Sequence, residues 1–427
     1  MATFSTFSFG CKVNSYETEA IKEELSNIGY RYISQLPADF AIVNTCAVTS
    51  VAEKKDMEKI RSISRNYPQT KIIVMGCFSQ LHPERIEPIE NVIAVIGSSR
   101  RSEIPLIIEN NTDKKLLVEN NSRIFAYEEL SISSYNSPYR AFLKIQDGCD
   151  NFCSYCVIPL VRGKSRSRPK AQILEEVRRL AENGYKEIVL IGIDTGAYED
   201  ADGSGFSELI EDILKVEPRS FRIRISSIEE TQIDSRLISI LKTDKRLVPH
   251  LHIPLQSGSS KILSLMRRKY DLDRFITLTD MLKKEVKDIA LSTDVIVGFP
   301  SETEKDFKDT CEFVKRVGFM RTHVFPYSRR PFTSANLMKE QIDPLVKKKR
   351  TRELILIGSK LAEAYLNAFS GKTLKVLIEE ELPSHDGNRL FRGYSENYLD
   401  LQVESQKNIL GEFVEVTIDS QGKARII

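Results

Sequence analysis

Short apolar runs alternate with amphipathic segments through roughly the first 125 residues. The apolar runs occupy residues 4–9, 40–43, 72–75 and 92–96, and segments with helical periodicity occupy residues 16–25 and 51–63. Runs of this length separated by helix-period segments are typical of successive βα units that build a parallel sheet. The pattern therefore predicts an N-terminal parallel α/β domain over residues 1–125.

A second alternating series begins at Ala141. Strand-like runs cover residues 141–145, 187–191, 221–225, 250–253, 291–297 and 321–325, and helical patterns lie near residues 171–183, 207–216, 233–242, 273–288 and 303–317. Six βα repeats over this length predict a barrel-like parallel sheet, a complete or partial (βα)6 barrel. With the basic amphipathic segment 344–369, they define a central domain over residues 135–368.

The segments that flank the central domain have different patterns. Residues 119–139 are polar and irregular, which predicts a linker or a loose excursion between domains. Residues 373–378, 389–403 and 411–427 form strand-like runs separated by glycine and asparagine, with no helical periodicity. This pattern predicts a small antiparallel β-barrel over residues 369–427. An α/β protein of three domains is expected.

Composition places the chain among globular proteins. Of its 427 residues, 41% are hydrophobic and 29% are charged, which excludes a disordered or collagen-like chain. No stretch approaches 18 consecutive apolar residues and no signal peptide is evident, so a cytoplasmic location without membrane contact is expected. The chain has 62 Lys plus Arg against 60 Asp plus Glu, so any basic footprint must be local. The seven cysteines are expected to stay reduced in the cytosol, which favours metal ligands over disulfides.

Cys149, Cys153 and Cys156, the central trio, form a C-x-x-x-C-x-x-C motif directly after the first strand of the second series. Three thiolates this close can face one centre, and soft sulfur ligands favour zinc or an iron–sulfur cluster. A zinc ion would need a fourth ligand, and the nearest histidine downstream is His250. A 4Fe-4S cluster held by three cysteines leaves one iron open to an exogenous chelating ligand. Three unrelated thiols are the structural alternative.

Cys11, Cys46 and Cys77, the N-terminal trio, are distant in sequence but share one context. Each follows an apolar run and precedes a helical segment. If the runs are neighbouring parallel strands, the three thiols lie at the carboxyl ends of the strands, where open α/β sheets bind ligands. A second three-cysteine site is predicted, with buried core thiols as the alternative. Cys311 lies alone in an amphipathic segment and is predicted to be a core thiol.

The motifs around both trios resemble those of the radical S-adenosylmethionine (SAM) methylthiotransferases, and the resemblance covers essentially the whole chain. The matching motifs are residues 10–17, 44–49, 148–162, 251–258, 293–300 and 323–328. The first two look most like the branch that acts on N6-threonylcarbamoyladenosine beside the anticodon of tRNA, at position 37. Sister branches act on isopentenyladenosine in tRNA or on a ribosomal-protein aspartate. The sequence departs from the usual pattern at Ser15, where glutamine is expected, and at Ser301 and Phe332, where glycine is expected.

The resemblance implies two 4Fe-4S clusters and two SAM molecules per turnover. The central trio would hold the cluster whose open iron binds SAM, and the N-terminal trio would hold an auxiliary cluster. One SAM is expected to supply the methyl group, and the other the 5′-deoxyadenosyl radical that opens carbon 2 of the adenine to a methylthio group. The expected partners are tRNA, a reductant protein such as flavodoxin or ferredoxin, and a sulfur donor, and the chain is expected to be a monomer.

Polar groups at the predicted strand ends are candidates for SAM contacts. They are Tyr155, Asp194, Ser226, Ser227 and Gln256, with Gly298 leaving room for adenine. Ser226 or Gln256 could instead cap a helix or satisfy the backbone. His250, His252 and His323 lie at predicted strands and are interpreted as structural.

Two basic clusters are candidates for RNA phosphate contacts, although charge runs are often only solvated faces. They comprise Arg162, Lys164, Arg166, Arg168 and Lys170, and Lys347, Lys348, Lys349, Arg350 and Arg352. The C-terminal barrel resembles a TRAM domain, an RNA-binding module, but residues 371–427 carry seven basic against ten acidic residues. Local contacts through charge and stacking are therefore expected there, from Arg389, Arg392, Tyr394 and Tyr398.

A function of another class also fits these features. A zinc-dependent RNA-binding module without catalysis would use two cysteine sets and a β-barrel. Such a protein would be colourless and contain zinc, whereas the cluster enzyme would be brown and oxygen-sensitive. Among enzymes, the alternatives are the isopentenyladenosine and ribosomal-protein branches.

Overall fold

The computed structural model describes residues 1–110, 115–120, 126–135, 137–383, 389–419 and 422–427. Its N-terminal domain is a parallel sheet in the order β2-β1-β3-β4-β5-β6, as the apolar runs predict. The strands are β1 (Thr3–Ser8), β2 (Arg31–Tyr32), β3 (Phe40–Thr45), β4 (Lys71–Gly76), β5 (Val92–Ile96) and β6 (Lys115–Leu117). The helices are α1 (Lys12–Asn27), α2 (Ser50–Asn66), α3 (Cys77–Leu81) and α4 (Ile104–Glu109). The sequence pattern missed β2 and β6, because strands of two or three residues show no periodicity.

The central domain is a partial barrel made of two three-stranded parallel sheets, β11-β10-β7 and β12-β13-β14. Its strands are β7 (Arg140–Lys144), β10 (Glu187–Ile191), β11 (Arg222–Ile225), β12 (His250–His252), β13 (Ala290–Val297) and β14 (Arg321–Pro326). The two sheets meet between β11 and β12, where the Ile228 N–H donates to the His252 carbonyl at 3.0 Å. A short antiparallel pair, β8 (Gln146–Asp147) and β9 (Arg166–Ser167), lies beside β7. All six predicted strands are confirmed.

The central domain also contains nine helices among its described residues. They are α5 (Ile158–Arg162), α6 (Lys170–Glu182), α7 (Phe206–Leu214), α8 (Ser235–Thr243), α9 (Ser260–Leu265), α10 (Leu272–Glu285), α11 (Glu304–Val317), α12 (Ser334–Leu337) and α13 (Pro344–Asn367). Cys311 is a buried residue of α11, as predicted. Among the described residues, no helix is both long and apolar enough to cross a membrane.

The C-terminal domain is a closed barrel in the order β15-β16-β17-β19-β18. Its strands are β15 (Thr373–Leu382), β16 (Arg389–Ser395), β17 (Asp400–Ser405), β18 (Phe413–Ile418) and β19 (Ala424–Ile426). The described strands pair in antiparallel fashion except β17 and β19, which are parallel at Val403 and Ala424. The expected small β-barrel is therefore present, with one parallel pairing.

The turn between β16 and β17 docks under the central barrel, where strands β7, β11, β12 and β14 begin. The ring of Tyr398 lies 4.6 Å from that of His250, and the Arg224 guanidinium lies 4.4 Å over it. Tyr394 stacks on Tyr398 at 5.1 Å and is contacted by Arg140. The prediction that these tyrosines stack on RNA is wrong, because the two rings stack on each other and Arg140 and Arg224 of the central domain lie over them.

The predicted linker is more than a loose connection. Ile132 is fully buried and Leu130 nearly so, and both belong to the main hydrophobic core. The Glu23 carboxylate of α1 accepts hydrogen bonds from Ser133, at 2.8 Å from its N–H. Residues 121–125 and 136 of this segment lie outside the described residues.

Candidate active site

The N-terminal trio lies at one edge of the parallel sheet. Cys11 follows β1, Cys46 follows β3 and Cys77 is the first residue of α3, directly after β4. Because β1, β3 and β4 are hydrogen-bonded neighbours, their carboxyl ends bring the three thiols together. A Cβ at Gly10, whose φ is 100°, would lie 2.9 Å from the Cys46 sulfur, so only glycine allows this approach.

Burial raises the pKa of the two buried thiols of this trio. Burial raises the pKa of Cys46 to about 12, and repulsion from Cys77 and Cys11 adds to the effect. Burial also raises the pKa of Cys77, while the Arg162 guanidinium, whose Nε donates to the sulfur at 3.3 Å, opposes it. Thiolates are the ligands that metals bind, so these cysteines are suited to deprotonation by a bound metal centre rather than to free nucleophilic chemistry.

The central trio lies on a loop that its neighbours hold from both sides. A Cβ at Gly148 would fall 1.9 Å from the Lys164 carbonyl oxygen, which makes glycine obligatory there. The Ser154 N–H donates to the Met266 carbonyl at 3.0 Å, at the end of α9. The Cys156 N–H closes a turn on the Cys153 carbonyl at 3.0 Å, and burial raises the pKa of Cys156 to about 12.

Asp194 positions this loop. Its Oδ2 accepts from the Asn151 side chain at 2.9 Å and lies 3.5 Å from the Cys149 sulfur, while its Oδ1 accepts from Gln232 at 2.6 Å. Both carboxylate oxygens therefore already have protein partners. The prediction that Asp194 holds SAM stays a prediction, and its observed contacts are with the cysteine loop.

Arg268 is a partner of the central trio that sequence reasoning missed. Its Nη1 donates to the Cys153 sulfur at 3.4 Å, and its Nη2 is ion-paired with Glu229. Each trio thus receives one arginine hydrogen bond, from Arg162 at Cys77 and from Arg268 at Cys153. The sequence offers no local signal for Arg268, because it lies 115 positions from its cysteine.

A cavity of about 240 Å³ is lined by Cys156 of the central trio and by residues that follow Cys46 of the N-terminal trio. It is lined by Val48 and Thr49 after Cys46, residues 155–158 of the cysteine loop, Gln256, Asp294, Ile296, and residues 325–328 after β14. Tyr155 and Gln256, two predicted SAM contacts, are in this lining. Ser226 and Ser227 follow β11, are half-buried and lie outside it.

Glycine at position 298 is required by packing. A Cβ there would lie 2.4 Å from Cγ of Lys347, on α13. The missing side chain therefore makes room for a helix side chain, and Gly298 is not among the residues that line the cavity. The expectation that it leaves space for adenine stays a prediction.

The two departures from the family's glycines lie in left-handed backbone. Ser301 has a φ of 68° and Phe332 a φ of 65°. Glycine enters this region freely whereas a bulky side chain is strained there, which explains the usual residue. Phe332 is 75% exposed and lies in the turn closed by the Thr333 N–H on the Arg330 carbonyl.

Arg162, predicted to bind RNA, is instead fully buried between the domains. Its guanidinium donates to Glu17 at 2.8 Å and to Asp147 at 3.0 Å. Arg101 and Lys144 also pair with Glu17, at 2.9 and 2.7 Å. Burial alone would raise the pKa of Glu17, but these three cations outweigh it and lower the pKa to about 2. The prediction that Arg162 binds RNA is wrong, because its guanidinium is buried and paired with carboxylates inside the protein.

Three other predicted RNA contacts are buried for the same reason. Arg166 donates to the Arg162 carbonyl at 2.7 Å, Arg168 pairs with Glu176 at 2.7 Å, and Arg350 pairs with Glu302 at 2.6 Å. These buried guanidinium groups are unavailable to phosphate, which corrects the predictions for them. Cations that remain exposed are Lys164, Lys348, Lys349 and Arg352.

Arg389 and Arg392 lie on the outer surface of the C-terminal barrel. Arg389 binds the Glu381 carboxylate at 2.6 and 2.7 Å, and Arg392 binds that of Asp400 at 2.8 Å. Such partly exposed ion pairs contribute little stability and can exchange for a phosphate partner. Their contact with RNA stays a prediction.

The spacing of the thiols bears on which metal centre fits. Among the described residues, the donor atoms of His252, Asp294 and His323 lie within 4.8 Å of one another, and those of neither cysteine trio do. Three sulfurs on one zinc ion, each at roughly 2.3 Å, would be only about 3.8 Å apart. The donor set and its wider spacing therefore fit a multi-iron cluster at each trio better than a single ion.

Comparisons with known proteins place these features in context. Residues 143–314 match the Radical SAM superfamily, and residues 3–97 match the Uncharacterized protein family UPF0004. The chain is 39% identical to the "Threonylcarbamoyladenosine tRNA methylthiotransferase MtaB" of Bacillus subtilis, covering 99% of this chain and 95% of the relative. It is 33% identical to the "tRNA-2-methylthio-N(6)-dimethylallyladenosine synthase" of Acetivibrio thermocellus, covering 97% and 88%.

A solved structure shares the fold. The radical SAM methyltransferase TsrM from Kitasatospora setae superposes with a TM-score of 0.60 at 14% identity, covering 79% of this chain and 77% of that one. At this identity the likeness concerns the arrangement of the polypeptide alone. It agrees with the parallel sheet and partial barrel described above.

Proposed function

The chain belongs to the radical SAM methylthiotransferase family, and from this premise we propose that it converts N6-threonylcarbamoyladenosine in tRNA to its 2-methylthio derivative. The observation that carries the proposal is that one cavity is lined by segments next to both cysteine trios. The threonylcarbamoyladenosine branch is favoured because similarity to its Bacillus subtilis member is higher, at 39% against 33% for the dimethylallyladenosine enzyme.

The two trios would hold two 4Fe-4S clusters, with SAM on the central one. When bound, SAM and its cluster supply a radical able to remove hydrogen from an unreactive carbon. The second cluster at the N-terminal trio is supported by its donor set and by the neighbouring Arg162. A reductant such as flavodoxin or ferredoxin and a sulfur donor complete the proposed reaction partners.

Buried charge next to the N-terminal trio supports an anionic group there. Four buried cations, Arg101, Lys144, Arg162 and Arg166, face three carboxylates among the described residues. Those carboxylates belong to Glu17, Glu128 and Asp147. An uncompensated buried cation is costly, and three thiolates around iron would supply the missing negative charge.

The protein's own role at the cavity is to orient the reacting groups and to exclude water. Val48, Ile296 and Phe325 give the cavity apolar walls. The N-terminal domain is fastened to the barrel next to it by hydrogen bonding between Ser50 and Ser328 at 3.2 Å and by the buried ion pair of Arg330 with Glu53. A dry, fixed cavity protects a radical from side reactions.

Mass spectrometry of tRNA nucleosides tests the proposed function. The gene is expressed in a host that lacks this modification, and 2-methylthio-N6-threonylcarbamoyladenosine is expected to appear. Appearance of the isopentenyl product would leave the family and fold intact and overturn the substrate. With neither nucleoside present, and with iron bound, methylthiolation of a ribosomal-protein aspartate would be the reaction to examine.

Exposed basic residues in the first turns of α13 are expected to bind the tRNA backbone. Replacing Lys348, Lys349 and Arg352 together by alanine should weaken tRNA binding and flatten its salt dependence. Each lost phosphate contact lowers the slope of log K against log salt by about 0.7 to 0.9. Fluorescence anisotropy between 50 and 200 mM salt measures both quantities.

A matched control uses three exposed lysines on the opposite side of the barrel. Lys215, Lys242 and Lys245 follow or end helices near the amino ends of the strands. Their triple alanine variant loses the same three positive charges and should bind tRNA like the parent. Equal salt slopes for the two triple variants would contradict an RNA site on α13.

A further inference from the structure

Below the cavity, polar side chains of β12, β13 and β14 lie next to one another in the partial barrel, and we call this group the polar chamber. Side chains of a strand alternate between its two faces, so Asp294, which lines the cavity, shares its face with Ser292. The strand register places His252 and Arg321 on either side of Ser292, and His323 beside Asp294. Tyr398 closes the chamber from below, with the Arg321 guanidinium 5.5 Å over its ring.

Hydrogen bonds fix the histidines of this chamber. His252 Nδ1 lies 3.0 Å from the Ser292 hydroxyl, and its Nε2 lies 3.2 Å from Asp294 Oδ2. The ring of His323 is 5.8 Å from that of His252. Both nitrogens of His252 already have partners, so neither is free for a cation, although the three donor atoms are close. His250 donates to or accepts from the same serine at 3.0 Å and is structural, as interpreted from sequence.

Two cations of the chamber have no hydrogen-bond acceptor or carboxylate partner among the described residues. Among the described residues, no acceptor lies within hydrogen-bonding or ion-pairing distance of the Arg321 guanidinium or the Lys12 ammonium. Lys12 directly follows Cys11 and is the first residue of α1, which packs against β7 of the barrel. Burial is the main cause that lowers the pKa of His250 and His323, and the nearby Lys12 charge lowers both further. Lys12 therefore lies close to the chamber, on the side that α1 covers.

The carboxylates described at the floor of the lumen are already paired with arginines. Glu187 is fully buried and is shared by Arg140, Arg222 and Arg224 at 3.0, 2.6 and 2.8 Å. Glu379 adds only a contact of 3.5 Å to Arg140. Among the described residues, Lys12 and Arg321 face one carboxylate in the chamber, that of Asp294, which is held by His252. One positive charge remains in excess, and an anion entering from the cavity would be stabilised.

We infer that this chamber binds the threonyl carboxylate of the substrate, with Arg321 and Lys12 as its cationic partners and His323 as a further hydrogen-bonding group. The inference rests on the proposed function, because it concerns the group that distinguishes threonylcarbamoyladenosine from isopentenyladenosine. An isopentenyl group is uncharged and would leave both cations unpaired. The chamber thereby selects the charged substrate. Because Lys12 directly follows Cys11, one of the selecting residues lies next to the proposed auxiliary cluster.

Binding of short RNAs to the cluster-loaded enzyme tests this inference. Anticodon stem-loops that carry threonylcarbamoyladenosine, isopentenyladenosine or plain adenosine are compared by their Kd. The parent should prefer the first, and the Lys12→Met, Arg321→Met double variant should lose about 10- to 150-fold of that preference, the range for hydrogen bonds to a charged group. Affinity for the plain adenosine RNA should not change.

Iron content and reductive SAM cleavage show that the variants are folded and loaded. Arg316→Met, which removes an exposed arginine paired with Asp280 on the outside of α11, is the matched control. A parent without preference for the charged RNA, or a double variant within 2-fold of the parent's preference, would overturn the inference. Zinc or another divalent metal bound at the histidines, lost in His323→Phe, would also overturn it. Failure of the proposed function is distinguishable from failure of this inference. In that case the parent forms no 2-methylthio-N6-threonylcarbamoyladenosine in cells, whatever the RNA binding measurements give.

Discussion

Replacing Cys46 by alanine is expected to reduce methylthiolation of tRNA to undetectable levels while reductive cleavage of SAM continues. Cys46 is buried among the N-terminal trio, and the cavity wall begins two residues after it. The central trio is intact in this variant, so radical formation should not depend on the change. Replacing Cys153 should instead abolish both activities. Nucleoside mass spectrometry and 5′-deoxyadenosine release measure the two reactions separately.

Cys311→Ala provides the control for this separation. Cys311 is also buried, at 4% exposure, but it packs in the core of α11. Its replacement should leave both activities and the iron content near those of the parent. If Cys46→Ala still formed the methylthio product at the parent's rate, the N-terminal trio would have no part in the reaction. Loss of SAM cleavage in Cys46→Ala would show that the two sites do not act separately.

Replacing Glu17 by glutamine is expected to have the largest effect on stability. Glu17 is fully buried and compensates Arg101, Lys144 and Arg162, which come from both domains. Removing one partner from a buried charge network leaves uncompensated charge, at a cost of about 3 to 5 kcal/mol. The urea midpoint of the variant should fall accordingly. Glu58→Gln, which breaks an exposed pair with Lys54 at 3.8 Å, should cost no more than about 0.5 kcal/mol.

The dependence of stability on acidic pH should also depend on Glu17. The pKa of Glu17 in the folded protein is lowered to about 2, from 4.5. A lowered carboxyl pKa adds stability that is complete above about pH 4.5 and is lost as the pH falls toward 2. Glu17→Gln should therefore show a shallower loss of stability than the parent across this window. A variant with the parent's midpoint at pH 7 would mean that solvent, rather than Glu17, compensates these cations.

Sequence reasoning succeeded for the cysteines and failed for most of the basic residues, for one reason. A cysteine that directly follows a predicted strand can be placed from the sequence, because neighbouring parallel strands have their carboxyl ends at the same edge of the sheet. A basic run such as residues 162–168 indicates positive charge but not whether the side chains are exposed to solvent. Whether Arg162 faces solvent depends on Glu17, which is 145 positions away and belongs to another domain. Tyr398 was misassigned likewise, since the Arg224 that covers it lies in the central barrel.

By itself, the sequence determined the order of the domains, the parallel character of the first two, the barrel of the third and the two cysteine trios. These are local properties, carried by apolar periodicity and by the position of a residue relative to the end of its strand. Tertiary structure alone decided that segments next to both trios line one cavity and that Arg162 and Arg268 donate to cysteine sulfurs. It also decided that Arg321 and Lys12 have no acceptor or carboxylate partner among the described residues. Burial and ion pairing depend on residues brought together by folding, so no local pattern contains them.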